Sequence, residues 1–170
     1  MRILKAICER IDRIIECEGK GISWLVIVLM GLTCYEVFLR RILGSPTIWT
    51  HEILAYVFGA HWVLALGYTE LHKGHSNVDL ITSRFSKKTQ TIISIIGLCL
   101  FLGAICVVWV WQGTIYCAKS WAMLERAPSA FNSPVYPAKT IIPVGFFVLG
   151  MIAVRELISD IVFLVKKVRL

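Results

Sequence analysis

The sequence has 170 residues, of which 57% are hydrophobic and 17% are charged, and its mean hydropathy is +0.73. Soluble domains are about 45–50% apolar and about 25% charged, so this composition excludes a water-soluble globular protein as the leading interpretation. Twelve glycines, five prolines and six scattered cysteines likewise argue against collagen, disorder and a disulfide-built scaffold. The net charge of +7 is typical of the cytoplasmic flanks of membrane helices, and we do not expect a nucleic-acid partner. The chain is predicted to be a single integral membrane domain over residues 1–170.

The first predicted element is an amphipathic helix over residues 1–18. Leucine and isoleucine recur there at helical spacing, and charged residues occupy the positions between them. Glu9 and Arg13 lie four residues apart, which supports a helix. Such a helix lies at the membrane surface, either on lipid or in a groove of a partner protein. Because charges run through the whole segment, we do not expect a cleaved signal peptide.

Four apolar segments follow, each long enough to cross a bilayer core, which takes about 20 helical residues. They cover about residues 21–39, 48–71, 89–118 and 137–165. The third contains no charged residue, whereas the other three carry charges near their ends. The sequence therefore predicts an all-α integral membrane protein with four transmembrane helices.

The distribution of lysine and arginine predicts the orientation of these helices. Thirteen of the eighteen lie in the N-terminal segment, in the loop between the second and third spans, and at the C-terminal end. The remaining five lie in the other two loops. By the positive-inside rule, both termini and the middle loop are cytoplasmic. Two termini on one side require an even number of crossings, in agreement with four.

No pattern in the sequence indicates a catalytic centre, a cofactor or a metal site. Haem between membrane helices needs ligands on facing helices, whereas His51 and His61 share one predicted helix. The cysteines form no Cys-x-x-Cys pair, and no nucleotide-binding, metalloprotease or hydrolase motif occurs. His61 lies near mid-membrane and is interpreted as a buried helix contact, with a proton relay as the less favoured alternative. We therefore expect no enzyme activity, no cofactor and no metal.

Polar and aromatic residues cluster where the first span ends and the second begins. Glu36 and Arg40 are four residues apart on one helix face, and Trp49 and Glu52 are three apart on the next helix. Ser45 is a candidate N-cap for that second helix. Arg40 would then reach both carboxylates across the hairpin. The cluster is interpreted either as a salt-bridged hairpin that closes the turn or as a docking surface for another subunit.

The motifs of the chain, taken in order, resemble those of a known family. They are Glu36 and Arg40 at the end of the first span, Pro46-x-x-Trp49-x-x-Glu52, Gly74-His75-x-x-Val78-Asp79-Leu80, and Ile142-Pro143-Val144-Gly145-Phe146 leading to Arg155. With the four-span layout, this set resembles the small membrane subunit of tripartite ATP-independent periplasmic (TRAP) transporters. The resemblance covers about residues 21–157.

The resemblance implies a bacterial inner-membrane complex that takes up organic acids, including C4-dicarboxylates and sialic acid. In that family a large multi-span subunit carries the substrate with sodium, and a periplasmic solute-binding protein serves it. The small subunit is a non-catalytic scaffold that braces the large one among the membrane lipids. The residues expected to contact partners are Glu36, Arg40, Trp49 and Glu52 on the outer side and His75 and Asp79 on the inner side.

Two other functions are open to a small membrane protein. A redox or cofactor-holding membrane anchor subunit would need ligands on facing helices, which this sequence lacks. A small independent channel or carrier would need a polar stripe along a helix or ionisable residues at the bilayer midplane. Neither pattern occurs in the sequence, and the scaffold interpretation is therefore favoured.

Overall fold

The computed structural model describes residues 2–72 and 85–166, and these form five α-helices with one short π-helix. The α-helices are α1 (Arg2–Arg41), α2 (Thr50–Leu71), α3 (Lys87–Gly97), α4 (Ala104–Ala122) and α5 (Tyr136–Lys166). The π segment, Leu98–Gly103, joins α3 to α4. Within the described ranges there is no strand, only an isolated bridge between Arg126 and Pro134. The predicted all-α class is confirmed for these residues.

α1 is one unbroken helix of 40 residues, where the sequence predicted a surface helix over 1–18 and a separate span over 21–39. Residues 19–21 include two glycines but no proline, and glycine weakens a helix without ending it. Gly19 also serves packing, because a Cβ at this position would overlap the ring of Tyr68 in α2. At 1.5 Å per residue α1 is about 60 Å long, twice the thickness of a bilayer core. The expected break between residues 18 and 21 is absent. The side chains change from charged to apolar along α1, but its backbone stays helical throughout.

The predicted third span, residues 89–118, lies inside a helical run from Lys87 to Ala122. Ser86 caps the start of this run, where its hydroxyl accepts a hydrogen bond of 3.4 Å from the backbone N–H of Thr89. The π segment interrupts the run near its middle. A Cβ at Gly103 would lie 3.1 Å from the carbonyl oxygen of Leu98, so the missing side chain relieves crowding at the end of this wider turn.

α5 covers the predicted fourth span and contains Pro143 in its interior. Proline removes one backbone hydrogen bond and crowds the preceding helical turn, so the position normally requires compensation by neighbouring residues. Gly113 of α4 faces this ring, and a Cβ there would lie 3.5 Å from the Cβ of Pro143. Gly113 therefore packs beside the proline, and a Cβ at this position would make an ordinary van der Waals contact with the ring.

The helices pack in the order α1, α2, α5, α4. α2 and α5 form the central contact, α1 packs against α2, and α4 packs against α5. The central contact is close, because a Cβ added at Gly145 of α5 would lie 2.8 Å from the carbonyl oxygen of Val63 in α2. The buried core is small and includes Ile15 and Ile152, both fully buried. Most large apolar side chains are exposed, which fits a protein surrounded by lipid or by partner subunits.

The two ends of the bundle differ in what they contain. The loop end holds the α1–α2 connection and the α4–α5 loop, and here Ser133 of that loop contacts Glu52 in the first turn of α2. The terminal end holds the start of α1 and the end of α5, which meet where Asp12 contacts Arg155. The predicted orientation places the terminal end in the cytoplasm and the loop end outside.

Three helical runs in the described residues are long and apolar enough to cross a membrane. They are Leu4–Arg41, Lys87–Ala122 and Tyr136–Val165. α2 has 22 residues and is about 33 Å long, but two glutamates and two histidines lower its hydropathy. It is therefore not among the three, and the fourth crossing stays a prediction.

Candidate functional site

The polar cluster at the loop end is built around the carboxylate of Glu36, near the end of α1. One oxygen accepts a hydrogen bond of 2.9 Å from Arg40, in agreement with their predicted pairing. The other accepts hydrogen bonds from Thr47, at 2.5 Å from its hydroxyl and 3.4 Å from its backbone N–H. Glu36 thereby ties the α1–α2 connection to α1. Gly44 permits the turn between them with a φ of +62°, which side chains disfavour.

α2 begins at Thr50, with Trp49 in the N-cap position and no side chain capping the helix. The predicted N-cap at Ser45 is therefore wrong. Glu36 holds Thr47 in the connection, and the hydroxyl of Thr47 contacts the fully buried hydroxyl of Thr50. Because these contacts fix the chain as far as residue 50, the helix starts later than the local sequence indicates.

Arg40 is an exposed member of this cluster, and Trp49 is partly exposed. The side chain of Arg40 is 59% exposed, whereas that of Glu36 is only 13% exposed. The ring of Trp49 is half-buried and lies 6.2 Å from the ring of Tyr35, within the usual range for an aromatic pair. A partner at the loop end would therefore meet the guanidinium and the indole, while the Glu36 carboxylate stays inside the cluster.

Glu52 belongs to a second cluster rather than to the first. Its carboxylate accepts a hydrogen bond from the hydroxyl of Ser133, in the α4–α5 loop. The hydroxyl of Tyr56 lies 2.9 Å from the same Ser133 oxygen. Among the described residues, the predicted contact of Arg40 with Glu52 is not formed: Arg40 binds Glu36, and Glu52 binds Ser133 instead. This pairing could not be predicted from local spacing, because 81 residues separate Ser133 from Glu52.

A third polar cluster closes the α4–α5 hairpin. The carboxylate of Glu125 accepts hydrogen bonds of 2.5 Å from Lys139 and 2.7 Å from Ser120. The ammonium of Lys139 also lies 4.0 Å from the centre of the Tyr116 ring. The hydrogen bond from Lys139, and then that from Ser120, hold the pKa of the Glu125 carboxyl below its usual value. The charged form of Glu125 therefore stabilises this loop.

We expect the stabilisation by Glu125 to disappear in acid. A carboxyl whose pKa is lowered by folding stabilises the protein above its unfolded pKa, about 4.3 for glutamate, and ceases to do so as pH falls through the lowered value. The unfolding midpoints of the wild type and Glu125→Gln should thus differ at pH 7 and converge on acidification. Thermal unfolding in detergent from pH 7 to pH 3 measures this difference, and a difference that stays constant would contradict the assignment.

At the terminal end, Asp12 of α1 accepts a hydrogen bond of 2.9 Å from Arg155 of α5. The second oxygen of Asp12 and the Nε of Arg155 are buried, and neither has a hydrogen-bond partner among the residues that the structure describes. Ile15, one turn further along α1, is fully buried. The sequence interpretation placed residues 1–18 on lipid or in a partner's groove, whereas this face of the helix contacts α5 of the same chain. The pairing of Asp12 with Arg155 was not predicted, because 143 residues separate the two in the sequence.

The two inner-side residues of the predicted site, His75 and Asp79, lie outside the described residues. Their contacts therefore stay predictions. Among the described residues of the terminal end, Ser94 of α3 donates a hydrogen bond of 2.7 Å to Asp160 of α5. This bond fixes the start of the third span against the end of the fourth.

His61 belongs to α2, and its Nδ1 lies 3.3 Å from the carbonyl oxygen of Ile22 in α1. This contact favours the helix-contact interpretation of the histidine over a relay. In the part of the chain that the structure describes, no group of three or more His, Cys, Asp or Glu side chains is placed to hold a metal ion.

The predicted site is thus divided into parts. Glu36, Arg40 and Trp49 lie together at the α1–α2 connection, while Glu52 joins the α4–α5 loop to α2. Both carboxylates are engaged by neighbouring donors of the same chain. This arrangement fixes the loops and presents a cation and an aromatic ring outward, which suits contact with a partner.

The sequence was compared with models of known protein families. Residues 29–163 match the model of the family described as tripartite ATP-independent periplasmic transporters, DctQ component. No curated protein matches the chain. The match spans all the described loop-end residues and most of the helical bundle. The chain therefore belongs to the DctQ component family of the TRAP transporters, as its motifs indicated.

Proposed function

We propose that this chain is the small, non-catalytic membrane subunit that scaffolds the large transport subunit of a TRAP transporter. It crosses the inner membrane of a bacterium four times, α2 included, with both termini in the cytoplasm. The assembled transporter takes up an organic acid, such as a C4-dicarboxylate or sialic acid, by sodium-coupled secondary transport. A periplasmic solute-binding protein delivers that acid.

Membership of the family carries this proposal, and the exposed apolar surface supports it. The indole side chains of Trp24, Trp62 and Trp111 are 70%, 60% and 68% exposed on the isolated chain. They stand on three different helices, α1, α2 and α4, so apolar surface is present around much of the bundle. A surface of this kind must be covered by lipid or by another membrane protein.

The loop-end clusters give the scaffold a defined shape at one membrane surface. Arg40 and Trp49 are proposed to contact the large subunit, and Glu36 and Glu52 to hold the connecting loops in the position that this contact requires. The complete set of proposed partner contacts is Glu36, Arg40, Trp49 and Glu52 on the outer side and His75 and Asp79 on the inner side.

Substrate uptake in a strain that lacks only this chain tests the proposal. We expect uptake of radiolabelled C4-dicarboxylate or sialic acid to fall to background, because the large subunit then lacks its brace. Replacing sodium in the medium should abolish uptake in the parent strain as well. A tagged wild-type copy should restore transport and bring a multi-span companion with it on gentle detergent extraction.

The level of the large subunit in the membrane is the necessary control. Loss of uptake while that subunit is still made and inserted supports scaffolding. Normal uptake without this chain, or recovery of the 19.2 kDa chain alone under conditions that preserve other complexes, would overturn the proposal.

A further inference from the structure

Gln112 is a polar residue on the exposed side of α4. It belongs to a stripe of exposed residues that recur at helical spacing along this helix, and the other members are Ile105, Val108 and Lys119. A glutamine amide has two donor hydrogens and one acceptor oxygen. Among the residues that the structure describes, the amide of Gln112 has no hydrogen-bond partner. The Gln112 stripe thus presents unpaired hydrogen-bonding groups outward.

The exposed hydroxyls of the apolar segments are paired, in contrast to this amide. The hydroxyl of Thr114 in α4 donates a hydrogen bond of 2.6 Å to the carbonyl oxygen of Val110, four residues earlier. Thr33 in α1 donates one of 2.7 Å to the carbonyl oxygen of Leu29 in the same way. These side chains can therefore face lipid without leaving a polar group unpaired. Gln112 cannot, unless something outside the described chain binds its amide.

The depth of Gln112 is given by its distance from an aromatic pair at the loop end. The rings of Trp121 and Tyr136 meet there with centroids 4.5 Å apart, and such aromatic residues gather at membrane interfaces. Gln112 precedes Trp121 by nine residues, which is about 13 Å along the helix. Even at a tilt of about 40° it lies about 10 Å deeper. The interfacial layer is only about 5–7 Å thick on each side, so Gln112 lies in the hydrocarbon core.

The direction of α4 carries the amide away from the lipid headgroups. α4 runs from the terminal end towards the loop end of the bundle. In an α-helix every Cα–Cβ bond tilts towards the N-terminus, which for α4 in the predicted orientation is the middle of the bilayer. The side chain of Gln112 therefore leaves the backbone towards the core and not towards water.

This polarity selects a protein over lipid as the neighbour of the Gln112 stripe. A lipid tail has neither a donor nor an acceptor, and an unpaired amide in hydrocarbon is costly. A helix of another membrane protein can supply both, because Ser, Thr, Asn, Gln and His side chains hydrogen-bond across helix interfaces in membranes. The apolar members of the stripe, Ile105 and Val108, would pack against the same helix.

We propose that the Gln112 stripe packs against a transmembrane helix of the large transport subunit, which presents a hydrogen-bonding side chain at the depth of Gln112. This inference rests on the proposed function, which supplies a multi-span partner. The contact lies within the membrane and adds to the one proposed at the loop end. Apolar surfaces alone allow two helices to slide past each other, whereas a hydrogen bond at one depth fixes their relative height.

Photocrosslinking in the native membrane identifies the neighbour of the stripe. The photoreactive residue p-benzoylphenylalanine replaces Val108 in the tagged chain, which leaves Gln112 in place, and the membranes are then illuminated. We expect a product that contains this chain and the large subunit, identified by mass spectrometry. A product made of two copies of this chain, or labelling of lipid alone, would overturn the proposal.

Binding of the purified large subunit to variants in detergent tests the amide itself. Gln112→Leu keeps the approximate size of the side chain but removes its hydrogen-bonding groups. We expect it to weaken association about three- to fifteenfold, the effect of one hydrogen bond between membrane helices. Gln112→Asn retains an amide and should recover part of the affinity. Thr114→Val is the matched control on the same helix, and it should bind as the wild type does because its hydroxyl is paired within α4.

The stability of the isolated chain separates a lost contact from a folding defect. Because the amide has no partner within the described chain, Gln112→Leu should unfold at no lower temperature than the wild type. If Gln112→Leu binds the large subunit as tightly as Thr114→Val does, the amide is not contacted and the proposal is wrong. If the wild-type chain brings no multi-span companion from the membrane, the proposed function fails, and this contact fails with it.

Discussion

The Gly145→Ala variant should unfold at a clearly lower temperature than the wild type, although it adds only one methyl group. The Cβ of the new residue would lie 2.8 Å from the carbonyl oxygen and 3.1 Å from the carbonyl carbon of Val63. These are backbone atoms of α2, which cannot rotate away as a side chain can. α2 and α5 must therefore move apart along the central contact of the bundle. Overpacking of this kind costs about 1–3 kcal/mol in free energy of unfolding.

Two other glycines provide matched controls for this prediction. Among the described residues, no atom beyond the adjoining helical backbone lies within 4 Å of a Cβ built at Gly31 of α1 or at Gly59 of α2. Alanine at these positions should be neutral or stabilise the helices, since alanine is favoured over glycine in a helix interior by about 0.5–1 kcal/mol. Thermal unfolding of the three variants in one detergent gives the comparison. If Gly145→Ala unfolds at the temperature of Gly59→Ala, the close approach of α2 and α5 is not required.

The positions of the helices could be predicted well because they depend on local sequence. Residues 48–71 and 137–165 were predicted as spans, and the helices observed there are Thr50–Leu71 and Tyr136–Lys166. Long segments that are predominantly apolar leave few alternatives to a helix. The continuity of α1 was not predicted, because the side chains change from charged to apolar at residues 19–21. That change marks a difference in surroundings, whereas the backbone hydrogen bonds of the helix continue through it.

The candidate site divides in the same way between local and distant contacts. The pairing of Glu36 with Arg40 was predictable, because four residues in a helix place the two side chains on one face. The engagement of Glu52 by Ser133 was not predictable, since it depends on how a loop folds back over α2.

A variant that removes one charge of the Asp12–Arg155 pair should lose more stability than one that removes both. Arg155→Met leaves the Asp12 carboxylate uncompensated in a site where the two side chains are only 31% and 24% exposed. We expect a loss of about 1–3 kcal/mol, the cost of a buried polar group without its partner. The double variant Asp12→Asn/Arg155→Met contains neither charge, and replacing both partners of such a pair is often nearly neutral. It should therefore unfold closer to the wild-type temperature.

The exposed pair of Glu16 and Lys20 is the matched control for this last prediction. Its atoms are 3.4 Å apart and its side chains are 49% and 71% exposed, so Lys20→Met should change stability by less than about 0.5 kcal/mol. A loss in Arg155→Met as small as that in Lys20→Met would show that Asp12 does not need its partner. The predicted order of stabilities would instead mean that the first half of α1 is held against α5. This segment would then lie along its own bundle, and only its outer face would be open to lipid or to a partner.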